Sequence, residues 1–83
     1  MNSAEALTAF LQYLRVERRY SEKTITAYEL DLERWMNYID AEAGVGWTGV
    51  EKAHIKRYIV VRSKSGSSAR TINRNLSALR SFY

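Results

Sequence analysis

Apolar side chains recur at helical spacing in four stretches of this chain, divided by short runs of glycine and hydroxyl residues. Leu7, Phe10, Leu11 and Leu14 fall at i, i+3, i+4 and i+7, one face of a helix predicted over residues 4–18. Ile25, Tyr28, Leu32, Trp35 and Ile39 step by three and four and predict a second helix of about four turns. Ser21 stands where its N-cap belongs, and Glu22 follows in the first turn, where the helix dipole favours an acid. Gly44-Val-Gly-Trp-Thr-Gly49 breaks that helix, with Trp47 expected to fold back on the core. A third helix is predicted over Lys52–Lys64, with Ile55, Tyr58, Ile59 and Arg62 on one side, and Ser65-Gly-Ser-Ser68 ends it.

The last stretch predicts a fourth helix with Ser68 as N-cap. Ile72, Leu76, Leu79 and Tyr83 align at spacings of 4, 3 and 4, with Ala69 beside them. Arg70, Arg74, Ser77 and Ser81 point to the opposite side, flanked by Asn73 and Arg80. The pattern is still in register at Tyr83 with no stop signal, so residues 1–83 are expected to be a fragment of a longer chain. No stretch alternates as a strand does. The expected fold is all-α, one domain built as a single four-helix orthogonal bundle.

Composition narrows the function classes. With 46% hydrophobic and 27% charged residues the chain has the make-up of a soluble globular protein, not of a disordered tail. It has no cysteine, which excludes disulfides and thiolate metal sites. No apolar run approaches the ~20 residues of a membrane span, and the N-terminus lacks a signal-peptide layout, so a cytoplasmic location is expected.

Charge is divided sharply. All nine acids lie in the first 51 residues beside five bases, whereas Lys52–Tyr83 holds eight bases and no acid. A charge run is usually a solvated face, but solubility alone intersperses both signs. Here Arg70 and Arg74 stand one turn apart, with Thr71, Asn73 and Ser77 among them as hydrogen-bonding partners. Arginine forks match phosphate or guanine edges and asparagine can read adenine, so a helix dressed this way suits the major groove of DNA. Ser21, Lys23, Thr24 and Tyr28, near the start of the second helix, are candidate companions on phosphate.

Other candidates carry less. Gly44–Gly49 matches G-x-G-x-x-G, but a helix precedes it and no acid follows Glu51, so an interhelical turn is expected and not a dinucleotide site. His54 is the sole histidine, so no His–His or Cys–His metal set can form, and a surface or boundary position is expected. Glu29, Asp31 and Glu33 lack a catalytic partner and are assigned to a solvated face, with local pairing near Arg34. Phe10, Tyr28, Trp35 and Tyr83 lie on apolar stripes and are expected in the core. No metal site, cofactor or small-molecule ligand is expected.

Four blocks together resemble a known family: Phe10-Leu-Gln-Tyr-Leu14 with Glu17-Arg18; Ser21-Glu-Lys-Thr-Ile-Thr-Ala-Tyr28 followed by Asp31-Leu32; Val50 through Tyr58; and Ser68-Ala-Arg-Thr-Ile-Asn-Arg through Leu76-Ser-Ala-Leu-Arg-Ser-Phe-Tyr83. In order and spacing the chain resembles the N-terminal core-binding (SAM-like) domain of tyrosine recombinases of the Xer and phage-integrase types. The resemblance implies a four-helix domain covering one face of duplex DNA, its second and fourth helices along the major groove. Carried over by residue, it nominates Lys23, Thr24 and Tyr28, and then Ser68, Arg70, Thr71, Asn73, Arg74, Ser77 and Arg80. It implies double-stranded DNA and other recombinase protomers in a tetrameric synaptic complex as partners, no membrane, and a nucleoid-associated location. The family's catalytic Arg, Lys, His and Tyr belong to a separate C-terminal domain that nothing here matches, so this fragment is expected to bind DNA and not to cut it. Tyr83 is not the nucleophile. The alternative is a helical protein–protein adaptor whose basic face meets an acidic partner.

Overall fold

Asn2 opens the first helix with a reciprocal cap. Its side chain accepts from the Glu5 backbone N–H at 2.8 Å, and Glu5 accepts from the Asn2 N–H at 3.3 Å. The computed structural model describes residues 2–44 and 46–83, the side chains of 42 and 43 excepted. Four α-helices make up its architecture: α1 Ser3–Val16, α2 Glu22–Tyr38, α3 Lys52–Lys64 and α4 Ala69–Phe82. A π-helical turn over Ile39–Ala43 extends α2, and a short 3₁₀ turn over Trp47–Gly49 precedes α3. No strand occurs among the described residues.

The first helix stops two residues before the expected Arg18. Arg19 takes the left-handed conformation (φ 52°), and the Tyr20 N–H turns back to the Leu14 carbonyl at 3.1 Å. Gly44, also left-handed at φ 66°, ends the π turn where the sequence pattern put the break. The third helix has the bounds expected of it.

Helix α2 is the centre of the molecule, packing on α1 and α4, while α3 closes against α4. The body measures 34 × 30 × 17 Å, so it is a slab about two helix layers thick at ~8–10 Å per layer. Phe10, Leu11 and Leu14 enter the core from α1, and Ile25, Leu32, Trp35 and Met36 from α2, followed by Ile39. Tyr58 comes from α3, and Ala78 and Leu79 from α4. Trp47 packs on the core edge, its ring 5.7 Å from that of Phe82.

One element is rolled relative to its pattern. The buried side of α4 is Asn75, Ala78 and Leu79, with Phe82 packed against the core; Ile72 and Leu76 are half-buried, and Ala69 is exposed. At about 100° per residue the buried arc lies roughly 80° from the expected stripe. Two features draw the helix round. Ala78 is small enough to allow close approach, and Phe82 sets its ring edge-on against Phe10 at 5.4 Å. The displaced stripe of Leu76, Leu79 and Tyr83 faces Ile55 of α3 across a shallow apolar groove. Tyr83 is accordingly half exposed, but its hydroxyl accepts the Trp35 indole N–H at 3.0 Å.

Burial raises the pKa of Tyr58, against the lowering pull of Arg62, and raises that of Tyr83 above the ordinary phenol value of about 10. Below that value both states hold the proton and nothing is lost. Above it the unfolded chain releases protons that the folded chain retains, so stability falls with rising pH. Melting temperature is expected to be flat to about pH 9.5 and to drop by about pH 11, with a shallower drop in Tyr58→Phe. Thermal melts across that range check it.

Candidate nucleic-acid interface

Two helix starts in this chain are built alike. Ser21-Glu-Lys-Thr24 opens α2 and Ser68-Ala-Arg-Thr71 opens α4. Each serine hydroxyl accepts the backbone N–H of its threonine at 3.2 Å, and the paired hydroxyls meet at 3.0 Å in α2 and 3.1 Å in α4. The cap fixes one orphan N–H and leaves the preceding ones free at the positive end of the helix dipole. It also places a base at the second helical position of each, the exposed Lys23 and Arg70. Glu22 is the one acid in these two starts, and Arg15 of α1 grips it in a fork at 2.7 and 3.1 Å. That pairing holds the Glu22 carboxyl below the ordinary range and offsets its charge where an anion would approach.

The outer side of α4 presents Arg70, Asn73, Ser77 and Arg80, all exposed, over about three turns without an acid. Ser68 is exposed as the cap, while Thr24 and Thr71 are half-buried beneath their serines. Tyr28 is half-buried, its ring edge-on to Tyr20 at 6.0 Å, and burial raises its pKa. Arg80 lies on the α3 side of this face, at the rim of the apolar groove with Lys52 and Lys56.

Arg74 stands differently from its expected place. The roll of α4 carries it off the outward pole and toward α2, where Nε and Nη2 donate to the two Asp31 oxygens at 2.8 Å each. The Asp31 side chain is 1% exposed and that of Arg74 41%. Those hydrogen bonds raise the Arg74 pKa further, and among the described residues they leave the two N–H groups of Nη1 and the second of Nη2 without a protein acceptor. Asp31 is therefore not on a solvated face: it is a buried carboxylate pinning the two helices that carry the candidate residues. The chain held a signal for this, since Asp31 falls at i+3 from Tyr28 and i−4 from Trp35, on the edge of the apolar stripe. Asn75, also buried, leaves its side-chain carbonyl oxygen without a protein partner among the described residues.

Residues 7–83 match the family described as phage integrase, N-terminal SAM-like domain. The chain belongs to that family. Among curated relatives, this integrase-type SAM-like domain is 35% identical over 77 residues to tyrosine recombinase XerC of Halalkalibacterium halodurans. It is 36% identical over 78 residues to XerC of Lacticaseibacillus casei, and 32% over 82 residues to XerC of Bacillus licheniformis. These alignments take in 93%, 93% and 99% of the chain but 25%, 26% and 27% of the relatives. The domain thus spans about a quarter of the length of the curated relatives it matches. No solved structure gives a significant match.

The Gly44–Gly49 segment of this SAM-like domain joins a π turn to a 3₁₀ turn between two helices, so it lacks the strand that a dinucleotide loop follows. Residue 45 within it lies outside the described residues. His54 takes part in the α3 cap, its Nδ1 accepting the Glu51 backbone N–H at 2.8 Å. Among the described residues, no helix is long and apolar enough to cross a membrane.

Proposed function

We propose that this domain binds duplex DNA as the N-terminal core-binding part of a tyrosine recombinase. The outer face of α4 lies in the major groove and the start of α2 lies on the phosphate backbone. One observation carries the reading: Arg70, Asn73, Ser77 and Arg80 stand exposed together on an acid-free helix of a chain whose relatives are named tyrosine recombinases. Arg70 and Arg80 offer forks to phosphate or guanine, Asn73 offers the amide pair that suits adenine, and Ser77 a hydroxyl between them. Lys23 with the Ser21–Thr24 start, and Ser68 with Thr71, position the domain on phosphates. Tyr28 supports the α2 start, and Arg74 presents its remaining N–H groups. Strand cleavage belongs to a further domain of the full-length protein, which acts with other protomers in a tetrameric synaptic complex at the nucleoid.

Neutralising ~4–6 phosphates gives a log–log slope of affinity against salt on the order of −4 to −5. A duplex titration between about 50 and 200 mM salt measures it, and an affinity that stays constant over that range overturns the reading. Arg70→Ala is expected to flatten the slope by about 1 if Arg70 holds a phosphate, or to cost roughly 1–3 kcal/mol at one base position if it reads an edge.

A further inference from the structure

On the side of α2 turned toward α3 lies an open cleft of roughly 790 Å³. Arg34, Asn37 and Tyr38 line it from α2, and Arg57, Tyr58 and Arg62 from α3. Helical spacing assembles it: Arg34 and Tyr38 are one turn apart on one helix, and Tyr58 and Arg62 are one turn apart on the other. Three guanidinium groups share this space. None makes an ion pair among the described residues, and none of the described lining residues is an acid. Asp31, whose charge reaches the Tyr58 hydroxyl, commits both its oxygens to Arg74.

A second observation points to a ligand. Tyr58 is 3% exposed, yet its hydroxyl finds no protein partner among the described residues, and neither does Nε of Arg62. Both atoms are covered from solvent, and they belong to residues whose other atoms line the cleft. The hydroxyl stands close enough to Arg62 and Arg34 for both charges to pull its pKa down against burial. Arg62 was already the odd member of its sequence pattern, a cation on the apolar side of α3.

Clustered arginine forks, with phenol and amide donors beside them, call for a ligand that carries several acceptor oxygens and negative charge. A carboxylate engages one fork. A tetrahedral phosphate presents oxygens in several directions at once. We propose that the α2–α3 cleft is an oxyanion site for a phosphate group, held by Arg34, Arg57 and Arg62 over Tyr58. The cleft is larger than one phosphate, so it admits the group together with what it is esterified to. The source is either an internucleotide phosphate of a duplex passing beyond the α4 face or a free phosphate compound. The site stands on its own lining residues and does not depend on where α4 lies in a groove.

The test titrates the chain with inorganic phosphate and inorganic tripolyphosphate at constant ionic strength, with chloride as the control. It reads the side-chain Nε–H NMR signals of the arginines. Trp35 supplies a second signal, because its ring lies 5.2 Å from that of Tyr58, and Trp47→Phe leaves it the sole tryptophan. Saturable shifts of Arg34, Arg57 and Arg62, with Arg70 and Arg80 unmoved, are expected, and tripolyphosphate should bind more tightly than phosphate. Arg57 is exposed, so Arg57→Gln keeps the fold, and it is expected to weaken binding about tenfold. Shifts that never saturate, that spread evenly over all arginines, or that ignore Arg57→Gln overturn the proposal. A duplex arm then identifies the source. If the phosphate is the duplex's own, DNA moves the same three signals and displaces inorganic phosphate. If it is free, DNA leaves them in place and phosphate still binds the duplex-bound chain.

Discussion

Replacing Arg74 with alanine is expected to destabilise this domain by about 3–5 kcal/mol, because it strands a buried carboxylate without its partner. The asymmetry of the pair makes the prediction sharp. Asp31 is 1% exposed in its side chain and Arg74 is 41% exposed. Asp31→Ala leaves a guanidinium that can turn to water, so its cost is expected to be lower, about 1–3 kcal/mol for two lost charge-assisted hydrogen bonds. The double variant Asp31→Ala/Arg74→Ala removes the stranded charge and is expected to be more stable than Arg74→Ala alone. Urea unfolding of the four proteins measures this cycle, and equal costs for the two single variants would sink it.

That result bears on function. A domain of this length has roughly 4–12 kcal/mol of stability in all, so Arg74→Ala removes between about a quarter and the whole of it. A loss of the proposed DNA binding in that variant then reports a lost fold unless binding is measured where the helices remain intact. Arg70, exposed and free of protein partners among the described residues, is the cleaner probe of the α4 face. The Asp31–Arg74 fork ties α2 to α4, so it sets the relative placement of the two helix starts that carry Lys23 and Arg70.

The starts of α2 and α4 and both bounds of α3 were legible in the sequence because their causes are local. Helix α1 instead begins at Ser3 behind an unforeseen Asn2 cap and stops at Val16, short of the expected Arg18. Ser21 and Ser68 cap as their positions suggest, and α3 runs Lys52–Lys64 as its flanking turn residues imply. The exposure of Arg70, Asn73, Ser77 and Arg80 was legible for the same reason. The facing of α4 was not. Ile72-Leu76-Leu79-Tyr83 and Asn75-Ala78-Leu79-Phe82 are both helical stripes that share Leu79, and periodicity alone does not say which one meets a neighbour. The choice depends on Phe10 and Trp47 receiving Phe82, and on Asp31 waiting for Arg74, contacts made across the chain. The α2–α3 cleft was legible only as an anomaly, Arg62 on an apolar face, since Arg34 comes to it from another helix.

Trp35→Ala is expected to remove about 3–5 kcal/mol, the range for a large aromatic truncated in a core that cannot collapse around the space. The indole is 0% exposed and surrounded by Tyr38 at 6.0 Å, Tyr58 at 5.2 Å and Tyr83 at 6.4 Å between ring centres. These neighbours come from α2, from α3 and from the C-terminal cap of α4, so one truncation loosens three elements together. Tyr83→Phe deletes only the acceptor of the indole N–H and is expected to cost about 1 kcal/mol. Trp35→Phe keeps part of the ring volume and is expected to fall between them. Near- and far-ultraviolet circular dichroism with thermal melts ranks the three, and a Trp35→Ala protein melting within a few degrees of the parent would falsify the placement of this side chain. Tyr58, which lines the arginine cleft, leans on the same indole, and Asp31, one turn earlier on α2, holds Arg74. Losing Trp35 is therefore expected to disturb the phosphate response of the cleft and the α4 face together, whereas Tyr83→Phe leaves both in place.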